Sequence, residues 1–379
     1  MTAYAFLTVP MHGRVNPTLP VVAELVRRGH TVSYHTSPAF SAGIAAAGAT
    51  VCRYPGGDQP LPDPPTPATL LAGLASTTVR VLPAVLADLR AIRPDVVVHD
   101  AACPWGAIAA RELGVPAAAS YTTFAFNREV RSPTRAGWAQ RDVLRSRWEL
   151  RRRFGTRGLP LFDLGNIPEP LNLVYTSRMF QPGVEDCDAS YRFVGPSIGA
   201  RPSDPFPVGA LADPVLYASL GTVFDAAPHL LRAFATALAP LGGSVVVATG
   251  QTDPAALGPL PANVVARRFV PQPEVLDRAA LFVTHGGMNS VNEALQAGVP
   301  MLVVPQGADQ PLVAARVATL GAGLTMRSAD VTAESVRALA RRLLDEPRFR
   351  GAAATLRAAQ IEAGGYRRAA DELERYARG

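Results

Sequence analysis

The chain contains no lysine: all 37 residues counted as Lys or Arg are arginine. This excludes a phosphate-binding loop of the G-x-x-x-x-G-K type and Schiff-base chemistry with pyridoxal phosphate, because both need a lysine amine. Cysteine is scarce. Cys52, Cys103 and Cys187 lie far apart with no C-x-x-C pair. A cluster of thiolates on zinc and a disulfide framework are therefore not expected, and a reducing cytoplasm is the natural setting. The apolar stretches read as shorter than a membrane span, and no charged-then-apolar leader opens the chain, so membrane association is not expected.

What is present suits two domains of ordinary size. The 379 residues are 48% hydrophobic and 18% charged, enough for sizeable cores and too apolar for general disorder. The formal net charge of +6 favours an anionic partner without naming it. Short β-branched runs alternate with segments of helical period in both halves, the pattern of βαβ units and a parallel sheet. The runs are Ala3–Val9, Thr31–Thr36, Asp95–Asp100, Ala117–Thr122 and Leu171–Thr176 in the first half. In the second they are Val215–Leu220, Ser244–Thr249, Val264–Val270, Ala280–Thr284, Met301–Pro305 and Gly323–Arg327. Helical period is clearest over Thr18–Arg28, Leu70–Ile92 and Val331–Leu344. The Pro- and Gly-rich segment Gly195–Pro214 has little apolar periodicity and reads as a linker. A second Pro-rich stretch, Tyr54–Pro67, reads as a surface loop.

In open α/β sheets, ligands bind beyond the carboxyl ends of the strands. The residues that follow each run are therefore the candidates. His12, Gly13 and Asn16 follow the first run, and Asp100 ends the third. A carboxylate bonded to one imidazole nitrogen fixes the tautomer and frees the other nitrogen to accept a proton, so His12 and Asp100 make a sensible dyad if they meet. In the second half, Gly221-Thr222, Gln272 and the segment His285-Gly286-Gly287 hold the same position. A glycine pair followed by a helix opening at Asn289-Ser290 is an anion site with His285 as a further donor. Ser290-x-x-Glu293 also matches a capping box, which would use both side chains merely to start the helix. The remaining histidines read as structural, with no convincing partner for His99 or His229.

The stretch FVPQPEVLDRAALFVTHGGMNSVNEALQAGVPMLVVPQGADQ, Phe269 to Gln310, resembles the nucleotide-sugar signature of inverting glycosyltransferases that modify small lipophilic molecules. These include bacterial macrolide and other natural-product enzymes and the UDP-glycosyltransferases. FLTVPMHGRVNPTLPVVAELVRRGHTV is similar to the family's first strand, catalytic loop and first helix, and YASLGTVF to the opening of its donor domain. The resemblance runs in order along nearly the whole chain. It implies the α/β GT-B fold: two facing Rossmann-like domains with parallel sheets and a cleft between them. The acceptor domain would span residues 1–200 and the nucleotide-sugar domain 213–360, with a helix at 361–379 packing back on the first domain. It implies His12 as general base, oriented by Asp100, and transfer with inversion and no metal. The helix N-terminus with Thr222, His285, Asn289 and Ser290 would stabilise the departing diphosphate, and Gly13 and Gly287 would be further nucleotide-sugar contacts. Phe269 would stack on the base, with contacts near Val270 and Gln272, while Glu293 takes the ribose hydroxyls and Asp309 with Gln310 takes those of the sugar. No resident cofactor is implied; a nucleotide sugar is the co-substrate, UDP-glucose by preference and a dTDP-deoxysugar as the alternative. A small aglycone accepts, and nucleic acid is no longer an expected partner. By elimination, Phe124, Phe126 and Trp138 are the candidate acceptor contacts. The basic stretch Arg145–Arg153 reads as a solvated helix face. A nucleotide-sugar epimerase and a non-catalytic auxiliary protein of the same fold are the other readings.

Overall fold

The computed structural model describes residues 1–56, 67–130, 141–154, 164–199, 205–221 and 228–379. The chain forms two compact units, Met1–Gly199 with Ala363–Gly379, and Ala200–Glu362.

The first unit holds seven strands: β1 (Ala3–Leu7), β2 (Thr31–Thr36), β3 (Thr50–Arg53), β4 (Val96–Asp100), β5 (Ala117–Tyr121), β6 (Leu171–Val174) and β7 (Tyr191–Phe193). All pair in parallel, in the order β3-β2-β1-β4-β5-β6-β7. Strand periodicity sorts β1 onto two cores. Ala5 and Leu7 join Leu82, Val85 and Leu89 of the helix Pro67–Ile92, while Tyr4 and Phe6 join Val22 and Leu25 of the helix Leu19–Arg27. Burial on both faces is why these strands read as continuous apolar runs. Strands β3 and β7 are absent from the sequence expectation. They are four and three residues long at the two sheet edges, and largely half-buried, so neither carries an apolar run.

One expectation is corrected here. Thr69–Ile92 is 24 residues long with mean hydropathy 1.7, enough by length and composition to cross a membrane. In this fold, Leu71, Ala75, Val81, Leu82, Val85 and Leu89 of that helix lie in the core against β1 and β4. The C-terminal helix Gly365–Ala377 packs on Leu19–Arg27 within the first unit. Its Ala369, Ala370 and Leu373 are fully buried beside Val22 and Leu25. Arg28 binds Asp371 at 2.6 Å and Glu374 at 3.1 Å, and His30 Nε2 lies 2.8 Å from Glu374.

The second unit has six parallel strands: β8 (Val215–Ser219), β9 (Ser244–Ala248), β10 (Val264–Arg267), β11 (Ala279–Thr284), β12 (Met301–Val303) and β13 (Gly323–Thr325). Their order is β10-β9-β8-β11-β12-β13. Its core joins Leu216, Val245, Leu281 and Leu302 to Phe234 and Leu238 of the helix Pro228–Leu238. Each sheet reverses its strand order once, between β1 and β4 and between β8 and β11, and such switch points are where open α/β sheets bind ligands.

Candidate active site

Both switch points carry candidate chemistry. In the first unit, His12 opens the one-turn helix His12–Val15 beyond β1, and Asp100 is the last residue of β4. Register pairs Leu7 with His99, so the two chain ends lie side by side. The His12 ring meets Phe40 edge-on at 4.9 Å. His12 is exposed as a residue, but its ring is partly desolvated, and this lowers its pKa below the ordinary value.

The expected His12–Asp100 bond is not the one formed. Asp100 is fully buried, and its two oxygens each accept from Arg14 Nη1 at 3.2 Å. Oδ1 also accepts from the Ala102 backbone N–H at 2.7 Å. Among the described residues no hydrogen bond joins Asp100 to His12. The physical reason is charge: a buried carboxylate is better satisfied by a guanidinium than by an imidazole held neutral. Arg14 was not a sequence candidate; the available signal was a cation two residues after His12 in the same turn. His99 does have partners: Nε2 lies 3.2 Å from Glu169 and Nδ1 2.9 Å from the Asp100 carbonyl. Gly13 is exposed, and a methyl there would meet nothing within 4 Å.

In the second unit, β11 delivers His285, and Gly287 caps the ten-residue helix Met288–Ala297. This corrects the capping-box alternative. The helix starts two residues before Ser290, which therefore sits in the first turn, and Glu293 lies inside the helix. A glycine cap has no side chain of its own to occupy the N–H groups of the helix's first turn, the arrangement that suits an anion. His285 is walled by glycines: a methyl on Gly221 would lie 2.7 Å from its ring and one on Gly287 2.4 Å. Gly221 also adopts φ +78°, in the left-handed region that favours glycine. Burial pulls the His285 pKa down to about 4, opposed by the charge of Asp309, so the ring is a neutral donor at pH 7. Among the described residues its Nδ1 has no hydrogen-bond partner.

Beside this helix, Gln272 links three side chains. Its Nε2 donates to Glu293 at 2.6 Å and to Ser290 Oγ at 3.3 Å, and its Oε1 accepts from Tyr217 OH at 2.9 Å. Glu293 is 3% exposed and Asn289 half-buried. Tyr217 escaped the sequence reading because it lies within an apolar strand run. Phe269 is 55% exposed just beyond β10, with Val270 half-buried after it. Asp309 occupies the N-cap position of the helix Gln310–Thr319, without a side-chain cap hydrogen bond. Gln310 departs from expectation: it is buried, and its Oε1 accepts from the backbone N–H of Gln306 at 2.7 Å and of Gly307 at 3.2 Å. That oxygen ties down the loop after β12. Thr222 lies outside the described residues.

The acceptor candidates fare unevenly. Phe124 is fully buried against Phe180, with ring centroids 5.5 Å apart, and belongs to the core. Phe126 is half-buried and meets Tyr121 edge-on at 6.4 Å. Trp138 lies outside the described residues. The basic stretch falls in the helix Arg141–Phe154, where Trp148 is exposed beneath the Arg152 guanidinium, 5.0 Å from its ring.

Comparison with known proteins bears on the family and the fold. Residues 232–370 match the family described as erythromycin biosynthesis protein CIII-like, C-terminal domain. The NDP-glycosyltransferase YjiC of Bacillus subtilis (strain 168) is 31% identical over 388 residues, covering 98% of this chain and 96% of that protein. The oleandomycin glycosyltransferase of Streptomyces antibioticus is 32% identical over 402 residues, covering 98% and 90%. The crystal structure of the glycotransferase of kitacinnamycin matches with a TM-score of 0.88 at 31% identity over 99% of each chain. Two parallel Rossmann-like sheets, candidate residues at both switch points and full-length similarity lead to one conclusion: the chain belongs to the GT-B family of macrolide and other natural-product glycosyltransferases.

Proposed function

We propose that the chain transfers a sugar from a nucleoside diphosphate sugar, UDP-glucose by preference, to a hydroxyl of a small lipophilic natural-product acceptor. Transfer inverts the anomeric centre and needs no metal. His12 takes the acceptor proton while the acceptor oxygen attacks the anomeric carbon and the bond to the diphosphate breaks. The lowered pKa of His12 supports this role, because a base must be unprotonated at working pH. The first turn of Met288–Ala297, the neutral His285, Asn289, Ser290 and Thr222 stabilise the charge that builds on the departing diphosphate. Glu293, held by Gln272, takes the ribose hydroxyls, and the exposed face of Phe269 stacks on the base. Asp309 addresses the sugar hydroxyls, with the Nε2 of Gln310 as its partner while Oε1 ties down the loop.

The observation that carries this reading is the His285 site: an imidazole walled by two glycines at a glycine-capped helix N-terminus, on a sheet switch point. A donor panel tests it. UDP-glucose and dTDP-deoxysugars are incubated with a promiscuous phenolic acceptor, and products are read by mass spectrometry and anomeric NMR coupling. A β-glucoside formed from the α-linked UDP donor is the expected product. A retained anomer contradicts inversion, and an epimerised nucleotide sugar without acceptor product points to the epimerase reading.

A further inference from the structure

We propose that His35, Cys52 and Asp88 form a binding site for a zinc-class divalent cation. The site lies outside the residues used for sugar transfer and does not depend on that reading. His35 is the penultimate residue of β2 and Cys52 the third of β3, and the two are register partners across the parallel ladder. Paired residues of neighbouring strands point to the same face of a sheet. Asp88 reaches that face from the helix Pro67–Ile92. One donor atom from each residue, a ring nitrogen, the Sγ and a carboxylate oxygen, lies within 4.8 Å of the other two.

The geometry suits one metal ion. His35 Nε2 is 3.3 Å from Asp88 Oδ2. Two ligands at about 2.0–2.2 Å from a tetrahedral zinc are separated by about 3.3–3.5 Å. Among the described residues neither ring nitrogen of His35 has a hydrogen bond of good geometry, and Nε2 has only this charge contact with Asp88, although the residue is fully buried. Buried polar groups are ordinarily paired, and an orphaned one is destabilising. A divalent cation accepts the Nε2 lone pair and brings the cluster to neutrality. One proton leaves the Cys52 thiol, and the resulting thiolate and the Asp88 carboxylate together balance the two positive charges. A nitrogen, sulfur and oxygen set selects zinc over magnesium or calcium. Cys52 is half-buried and the Asp88 side chain 44% exposed, so an ion has access from solvent.

The test uses the full-length, tag-free chain after treatment with a chelator. Zn²⁺ is titrated against a chromophoric chelator, and Co²⁺ is added separately as a spectroscopic probe. One Zn²⁺ per chain is expected, together with a thiolate-to-cobalt charge-transfer band. Cys52→Ser should remove that band and weaken Zn²⁺ binding at least tenfold. Asp88→Asn, at a part-exposed position that does not threaten folding, should also weaken Zn²⁺ binding at least tenfold. Cys187→Ser should change neither readout. Absence of stoichiometric binding, a charge-transfer band that survives Cys52→Ser, or affinity unmoved by Asp88→Asn would each overturn the proposal.

Discussion

At the scale of single residues, the first unit turns on which group Asp100 holds. Its carboxylate is fully buried and contacts Arg14 and one backbone N–H. If Arg14 is replaced by methionine, the carboxylate must find another cation or lose stability, at a cost of about 1–3 kcal/mol. His12 is the nearest such group in sequence. Pairing with a carboxylate favours imidazolium, so Arg14→Met should raise the His12 pKa and move the acid limb of the kcat/KM profile to higher pH. An unmoved limb would mean that Asp100 does not reach His12. Sequence reading identified both ends of this arrangement but not its middle. A strand-end position marks a residue as a candidate, whereas the partner of a buried carboxylate depends on side-chain reach and desolvation. Gln310 illustrates the same limit: its place beside Asp309 was legible, but the use of its amide oxygen to tie Gln306 and Gly307 was not.

At the scale of elements, the second unit's site is a strand, a glycine turn and a helix start. Gly287 has φ −62° and ψ 135°, which any residue can adopt, so its glycine is required by space rather than by backbone. Gly287→Ala should push the His285 ring aside and weaken UDP binding about tenfold or more, with little change in thermal stability; calorimetric titration with UDP measures this. Unchanged affinity would remove His285 from the diphosphate site. Elements of this kind were the most legible part of the sequence, because each long apolar run has a strand to match. The edge strands β3 and β7 were missed because half-exposed strands of three or four residues carry neither an apolar run nor enough length for alternation to stand out. The helix Pro67–Ile92 misled in the opposite sense. A helix buried in the core of an α/β unit and one that spans a bilayer share the same length and composition, and only its packing against β1 and β4 distinguishes them.

At the scale of the whole molecule, each unit has its own sheet and core, and the chain returns to the first unit through the helix Gly365–Ala377. Leu373 is fully buried there, so Leu373→Ala should cost about 2–5 kcal/mol. In urea, the transition of the first unit should move to lower denaturant while that of the second stays in place. Equal movement of both, or of neither, would contradict separate cores. The absence of lysine also acquires a meaning at this scale. The proposed diphosphate site uses backbone N–H groups, a neutral imidazole and hydroxyls, none of which needs an ammonium group. Nothing in the structure explains why every basic position is arginine. The central claim is that His12 is the base for sugar transfer, and its most direct test is paired measurement of UDP affinity and of transfer by His12→Ala. We predict UDP affinity within about twofold of the parent chain and transfer reduced by about 10²–10⁴-fold; transfer to a hydroxyl acceptor at the parent rate would contradict the account.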